Sequence, residues 1–315
     1  MTSRSTERHS RFDEAPKSSA IWAGTTISME DDRRRLVAIC AIAKNEGPYI
    51  AEWAIYHRLI GFDHILVYEN ESTDDTRDVL EVLAEAGLVT WLKWPSRSDG
   101  QTQRTAYTDG LRRLRPAFKW ITFVDIDEFV HIPGYDNSIA AFLQAYDHLD
   151  AIAVNWSMFG TSGHVTMTPG LVLERFTRRA KTEHSPNRAV KTIAKTNALL
   201  KPNLHNHQFA DGVTYSTVRG EVIAPHMGRS ETVDHEVILI NHYFTKSVAE
   251  WEAKVARGRA TKPDDHPDKF RTKEHFRRND KNDVEDRRLT RYVQPIRQKM
   301  KELGLDFDLA LDEDE

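Results

Sequence analysis

Short apolar runs alternate with amphipathic stretches through the first half of the chain. Residues 36–43 are continuously apolar and of strand length, which predicts a buried strand. A polar loop at 44–48 follows. The next stretch predicts a helix with Ile50, Trp53, Ile55 or Tyr56, and Leu59 on its apolar face, ended by Gly61. Residues 65–68 predict a second strand and 69–75 its polar exit loop. There, Ser72 or Thr73 can cap a helix carrying Val79, Leu80, Val82 and Leu83, which stops at Gly87. Residues 89–92 predict a third strand and 101–114 a helix. Residues 120–124 predict a strand that runs straight into Asp125, Asp127 and Glu128. This alternation implies parallel strands joined by crossover helices. The polar loops 44–46, 69–75 and 125–128 then meet at one edge of the sheet.

The second half is less regular. Residues 151–156 predict a strand entering a glycine-containing loop at 159–164, and 171–176, 190–194 and 213–218 predict further strands. Residues 237–240 form another apolar run, leading into Asn241-His242-Tyr243. Ser247 and Glu250 form a capping box that opens a helix with Trp251 and Val255. Residues 257–288 are crowded with charge and predict an exposed loop or helix. Residues 292–303 predict a last amphipathic helix, interrupted or kinked near Pro295. The expected organisation is a mobile polar tail at 1–33, an α/β domain at 34–260, and a charged extension at 261–315 with one helix and an acidic tail.

Composition narrows the function classes. The chain has 315 residues, 39% of them hydrophobic, which is ample for a core. A formal net charge of −4 argues against a nucleic-acid binder. Cys40 is the only cysteine, so no disulfide can form within the chain, and its place in an apolar run points to core packing. No run near the start is long enough for a leader or a membrane span. The expectation is a cytoplasmic protein, with room for peripheral contact at the inner face of a membrane.

The chemistry concentrates at Asp125-Ile-Asp127-Glu128. Two carboxylates one residue apart on extended chain point the same way. Held together in a cleft, they repel unless a cation lies beside them. Oxygen ligands suit Mg²⁺ or Mn²⁺, and such ions also bind substrate phosphates. The pattern implies a metal–diphosphate site and an enzyme using a nucleotide-activated donor.

Four blocks in order carry a family resemblance: Lys44-Asn-Glu-Gly-Pro-Tyr-Ile-Ala-Glu-Trp53, Phe123-Val-Asp-Ile-Asp-Glu-Phe129, Asn155-Trp-Ser-Met-Phe-Gly-Thr-Ser-Gly-His164 and Asn241-His-Tyr-Phe-Thr-Lys-Ser247. Together they resemble a glycosyltransferase group related to families 2 and 92, over roughly residues 36–260. The resemblance implies a GT-A-like α/β fold, with a mostly parallel central sheet flanked by helices and an irregular acceptor-side half. It also implies a nucleotide-sugar donor, UDP-linked, and Mn²⁺ or Mg²⁺ as cofactor. By this resemblance Asp127 is the direct metal ligand, Asp125 holds the ribose or a metal-bound water, and His242 joins the metal shell or only supports the structure. Glu128 either bonds into the site or caps a turn.

On the donor side the resemblance points to Lys44, Asn45 and Glu46, to Glu69, Asn70 or Asp74, and to Gln103. Lys191, Lys246 and the arginines at 178–188 are candidates for neutralising the diphosphate. Trp156, Phe159 and His164 are acceptor-side candidates, and so is His207, which with His205 offers acceptor contact or packing. The implied activity is a metal-dependent, inverting transfer of a sugar to a carbohydrate or glycoconjugate acceptor, as in polysaccharide biosynthesis. An inverting reaction needs a carboxylate base. Asp211, Glu231 and Asp234 lie in the right half, and Asp211 is the first choice. A nucleotidyltransferase and a non-catalytic carbohydrate-binding protein are the alternatives.

Overall fold

The computed structural model describes residues 35–204, 207–224, 227–259, 262 and 265–305. The expected tail at 1–33, the acidic end and His205 lie outside these residues. The described residues fall in one compact unit that begins at Arg34.

The sequence alternation is realised as β1 (Arg35–Ala43), α1 (Gly47–Leu59), β2 (His64–Glu69), α2 (Thr76–Glu85), β3 (Thr90–Lys93), α3 (Thr102–Leu114) and β4 (Phe118–Phe123). These four strands pair in parallel in the order β3-β2-β1-β4. The chain continues through β5 (Glu128–His131), α4 (Ile139–Ala145), β6 (Ala151–Met158), α5 (Val172–Arg175), β7 (Arg178–Arg179), β8 (Val190–Lys195), β9 (Leu199–Lys201), β10 (Gln208–Phe209), β11 (Tyr215–Thr217) and β12 (Leu239–His242). It closes with α6 (Val248–Arg257), α7 (Lys273–Asn279), β13 (Val284–Glu285) and α8 (Val293–Glu302). The sheet extends beyond β4 as β8-β6-β12-β5, with β11 beside β6. Here the direction is mixed: β8 is antiparallel to both β4 and β6, and β12 is parallel to β6 but antiparallel to β5. The whole is a mixed α/β sheet flanked by helices, the class the sequence implies.

Side-chain alternation on β1 divides the core. Val37, Ile39, Ala41 and Ala43 face the cluster that includes α1, α2 and α8, while Ala38 and Cys40 face the α3 side. Cys40 is buried, as a core residue should be. Gly110 of α3 makes a close approach there, since a Cβ on it would lie 2.4 Å from Cys40 Sγ. Trp53 of α1 is fully buried, and its indole N–H donates to the Glu128 carbonyl at 2.9 Å. A buried aromatic of this kind is worth about 3–5 kcal/mol against alanine. Trp53 thereby ties α1 to the strand leaving the acidic loop.

Several local expectations are corrected. Leu59 is 47% exposed, because α1 is already buried around most of its circumference by Ile50, Trp53, Ala54 and Ile55. Ser72 and Thr73 do not cap α2, whose N-cap is Asp75. They bond Asn45 instead, which has a left-handed φ of 52°. Residues 171–176 contain the helical turn α5, not a strand. The Val172 and Leu173 amides donate to Glu52 at 2.7 and 2.9 Å, which holds the turn. The charged stretch 257–288 holds a helix, α7, as one of the two forms expected, but also a short strand, β13, which pairs with β7. The described residues beyond 261 carry two helices, α7 and α8, rather than one, and α8 buries Val293, Ile296 and Met300 in the main core. Pro295 sits in the first turn of α8, where its missing N–H would have no helical partner anyway, and α8 runs on uninterrupted.

Candidate active site

Loops after β1, β2, β3 and β4 line one side of a cavity of about 760 Å³, and α6 with the segment beyond it forms the other wall. The acidic loop is the short link between β4 and its continuation β5. The Glu128 amide donates to the Asp125 carbonyl at 3.0 Å, and the Asp125 amide to Glu128 Oε2 at 2.9 Å, so the turn is self-bracing.

Asp125 is bonded at both carboxylate oxygens. Oδ1 accepts from Gln103 Nε2 at 2.9 Å and Tyr107 Oη at 3.1 Å, both on α3. Oδ2 accepts from Lys191 Nζ of β8 at 2.9 Å, and the same ammonium lies 3.0 Å from Glu128 Oε2. Burial works against ionisation of Asp125, but the charge and hydrogen bond of Lys191, together with His242, hold the carboxyl below its usual range. Burial pushes Glu128 up, with Lys191 opposing. Burial would also lower Lys191, yet Asp125 and Glu128 raise it, so the ammonium stays charged.

Asp127 faces α6 and β12. Its Oδ2 accepts from Lys254 Nζ at 2.6 Å and lies 3.6 Å from His242 Nε2. Burial opposes its charge, but Lys254 and then His242 hold its carboxyl well below the usual range. His242 stands opposite Glu128 in the β12–β5 pairing, with its Nδ1 3.9 Å from Glu128 Oε1. The Trp156 ring, 4.4 Å away between centroids, fixes the imidazole from the side.

The expected donor residues divide. Lys44, Glu46, Asn70 and Gln103 line the cavity. Asn70 Nδ2 donates to the Trp94 carbonyl and Ser96 Oγ, joining the loops after β2 and β3. Asn45 bonds Thr73 and braces the rim. Glu69 is buried under the loop, accepting from the Ser72 amide and pairing with Arg77. Asp74 holds Thr76 and the Gly47 amide. Lys191 reaches the site only through Asp125 and Glu128.

Of the expected acceptor residues, Trp156 alone lines the cavity. Phe159 is core, packed on Tyr243 at 4.6 Å. His164 bonds the Arg175 carbonyl at 2.9 Å. His207 accepts from the Asn203 amide and stacks on Phe123. Asp211 is exposed in the turn after β10 and does not line the cavity. Glu231 pairs with Arg188 and Asp234 with Arg219, both away from it. The arginines at 178–188 also lie elsewhere, with Arg179 on Asp286 and Arg178 on the Asn282 carbonyl. Lys246 stacks over Tyr49 at 3.5 Å, beside Glu46.

The sequence reading missed the cationic wall. Lys254, Arg257, Arg259 and Arg271 all line the cavity. Arg257 Nη1 donates to Glu46 Oε1 at 2.8 Å and also to the Lys44 carbonyl. Burial opposes its charge, and Glu46 raises its pKa. The available signal was spacing: Lys254 and Arg257 are a helical turn apart, just after the N-H-Y strand end.

The donor set suits a divalent ion in kind, with two carboxylates and an imidazole. Glu128 Oε1 and His242 Nδ1 are buried without a hydrogen-bond partner among the described residues. As positioned, no three His, Cys, Asp or Glu groups among the described residues converge closely enough to hold a metal. Lys191 and Lys254 supply the neutralising charge instead.

Residues 36–290 match the sequence model of glycosyltransferase family 92. A glycosyltransferase family 92 protein of Ricinus communis is 25% identical over 211 residues, covering 66% of this chain and 35% of its own length. Another from Oryza sativa subsp. japonica is 26% identical over 215 residues, covering 66% and 33%. A galactan beta-1,4-galactosyltransferase of Arabidopsis thaliana is 25% identical over 185 residues, covering 55% and 36%. The chain thus spans only about a third of the length of these curated relatives. Among solved structures, S. aureus TarS 1–349 is similar at 20% identity and a TM-score of 0.33, covering 52% of this chain and 48% of that one. With the greater part of its length inside the family model, the chain belongs to glycosyltransferase family 92.

Proposed function

We propose that this chain is a metal-dependent glycosyltransferase that moves a sugar from a UDP-linked donor to a carbohydrate or glycoconjugate hydroxyl. The observation that carries the reading is that Asp125, Asp127 and His242 line the same cavity, whose opposite wall is cationic. Asp125, Asp127 and His242 would hold the divalent ion, which supplies Lewis-acid stabilisation of the departing diphosphate. Arg257, Arg259 and Arg271 present guanidinium groups to that diphosphate, a role the sequence reading gave to the 178–188 arginines. Lys44, Glu46 and Asn70 form the end of the cavity suited to base and ribose. Trp156 offers an aromatic face for a sugar ring at the other. Lys191, Gln103 and Tyr107 fix Asp125, so the acidic loop is already positioned before substrate arrives.

The relation to a galactan beta-1,4-galactosyltransferase makes UDP-galactose the first donor to try, and polysaccharide synthesis the setting. The test is UDP release from UDP-galactose and other UDP-sugars by the purified chain with Mn²⁺, with and without oligosaccharide acceptors. Release should require Mn²⁺ and disappear in Asp127→Asn. Release by Asp127→Asn at the wild-type rate, or none with any UDP-sugar and acceptor, would overturn the proposal.

A further inference from the structure

Lys254 holds Asp127 across 127 residues of sequence, with Nζ 2.6 Å from Oδ2. Among the described residues its other polar partner is Phe244, whose carbonyl accepts at 2.8 Å and whose ring centroid lies 4.2 Å away. Arg271 faces the same ring at 5.7 Å, and its Nη1 is buried with no hydrogen-bond partner among the described residues. Both cations line the cavity. Among the described residues, Lys254 is therefore an ammonium with one anionic partner and one neutral anchor, beside a guanidinium nitrogen without an acceptor.

A divalent ion bound through Asp127 would share the carboxylate that Lys254 already holds at Oδ2, and so would stand close beside the ammonium. Two cations at that spacing repel strongly where water is largely excluded. The ion and the ammonium are thus alternative occupants of Asp127. The Phe244 anchor lets Lys254 leave Asp127 without leaving the cavity. A diphosphate is an anion that would draw it away and also satisfy Arg271.

We propose that Lys254 occupies Asp127 in the donor-free protein, gives way to a divalent cation when a nucleoside diphosphate arrives, and then pairs with the diphosphate. This rests on the glycosyltransferase reading above. The exchange suppresses metal binding to the free protein and couples it to donor binding, because each ligand removes an obstacle to the other.

The test is equilibrium dialysis of Mn²⁺ against the full chain, without and with UDP, for wild type, Lys254→Met, Lys254→Gln and Asp127→Asn. Circular dichroism confirms that each is folded. Both Lys254 variants should bind Mn²⁺ without UDP about tenfold more tightly than wild type, within the usual range of coupling between sites. UDP should then tighten Mn²⁺ binding far less in the variants than in wild type. If neither Lys254 variant gains affinity while Asp127→Asn still abolishes Mn²⁺ binding with UDP, the exchange is overturned and the metal site stands. If Mn²⁺ binding is independent of Asp127 in both conditions, the metal site fails and the exchange with it.

Discussion

Lys191 Nζ lies 2.9 Å from Asp125 Oδ2, although the two residues are 66 positions apart and enter the sheet on neighbouring antiparallel strands. The same ammonium serves Glu128, so one cation neutralises the buried Glu128 and the part-exposed Asp125. Lys191→Met should leave the buried Glu128 without its counter-charge and cost about 3–5 kcal/mol, with Asp125, open to solvent on one side, adding little. Lys191→Met combined with Glu128→Gln should recover part of that loss. Urea denaturation of the three proteins checks it, and a cost near zero for the single variant would show that the carboxylates find other partners.

The contact between Gly110 and Cys40 gives a reciprocal test of packing. In an open helix, Gly→Ala is stabilising by about 1 kcal/mol. Here the added methyl meets Cys40 Sγ, so Gly110→Ala should instead destabilise by about 1–3 kcal/mol. Cys40→Ala removes the obstructing sulfur, and in that background Gly110→Ala should become neutral or favourable. Additive costs in the double-mutant cycle would contradict this account of the glycine.

The first half of the fold is legible because buried parallel strands read as uninterrupted apolar runs, as in residues 36–43 and 65–68. The second half is not, because nothing local in residues 190–195 or 239–242 shows that they insert between other strands. The acidic loop was legible for the same reason as β4, its apolar lead-in. The cationic wall was hidden because Arg259 and Arg271 sit in a stretch whose charge density resembles an ordinary solvated surface. Phe159 and His164 misled in the opposite sense. Beside Trp156 in one short block they look like a sugar platform, but Phe159 alternates into the core and His164 caps the carbonyl of Arg175.

Acid should weaken the fold through Glu250. Burial works against its charge, but paired bonds from Arg175 at 2.9 and 3.0 Å bring its pKa down to about 2. A depressed carboxyl stabilises the fold above its ordinary value, near 4.5, and the gain is lost as pH falls from there towards 2. The full effect is on the order of 3 kcal/mol. Denaturation at pH 6 and pH 3 should show wild type losing more stability than Glu250→Gln. Parallel losses would remove Glu250 from the account.

His242 separates a ligand from a structural support. If it holds the divalent ion, His242→Ala should raise the Mn²⁺ concentration for half-maximal UDP release by about tenfold or more. Its melting temperature should fall only modestly. An unchanged Mn²⁺ titration with a large loss of thermal stability would assign His242 to packing between Trp156 and Phe244.

The insertion of β12 between β5 and β6 also sets an order on the birth of the molecule. Residues 128–131 and 151–158 leave the ribosome together, yet the strand that separates them is made only at 239–242. Until then both strands present unpaired edges, and those edges invite pairing with other chains. A nascent chain halted before residue 239 would hold Asp125, Asp127 and Lys191 but neither His242 nor Lys254. The acidic half of the cavity would then stand on an unfinished sheet, and a translation pause in this interval would leave those edges open to pairing with other chains.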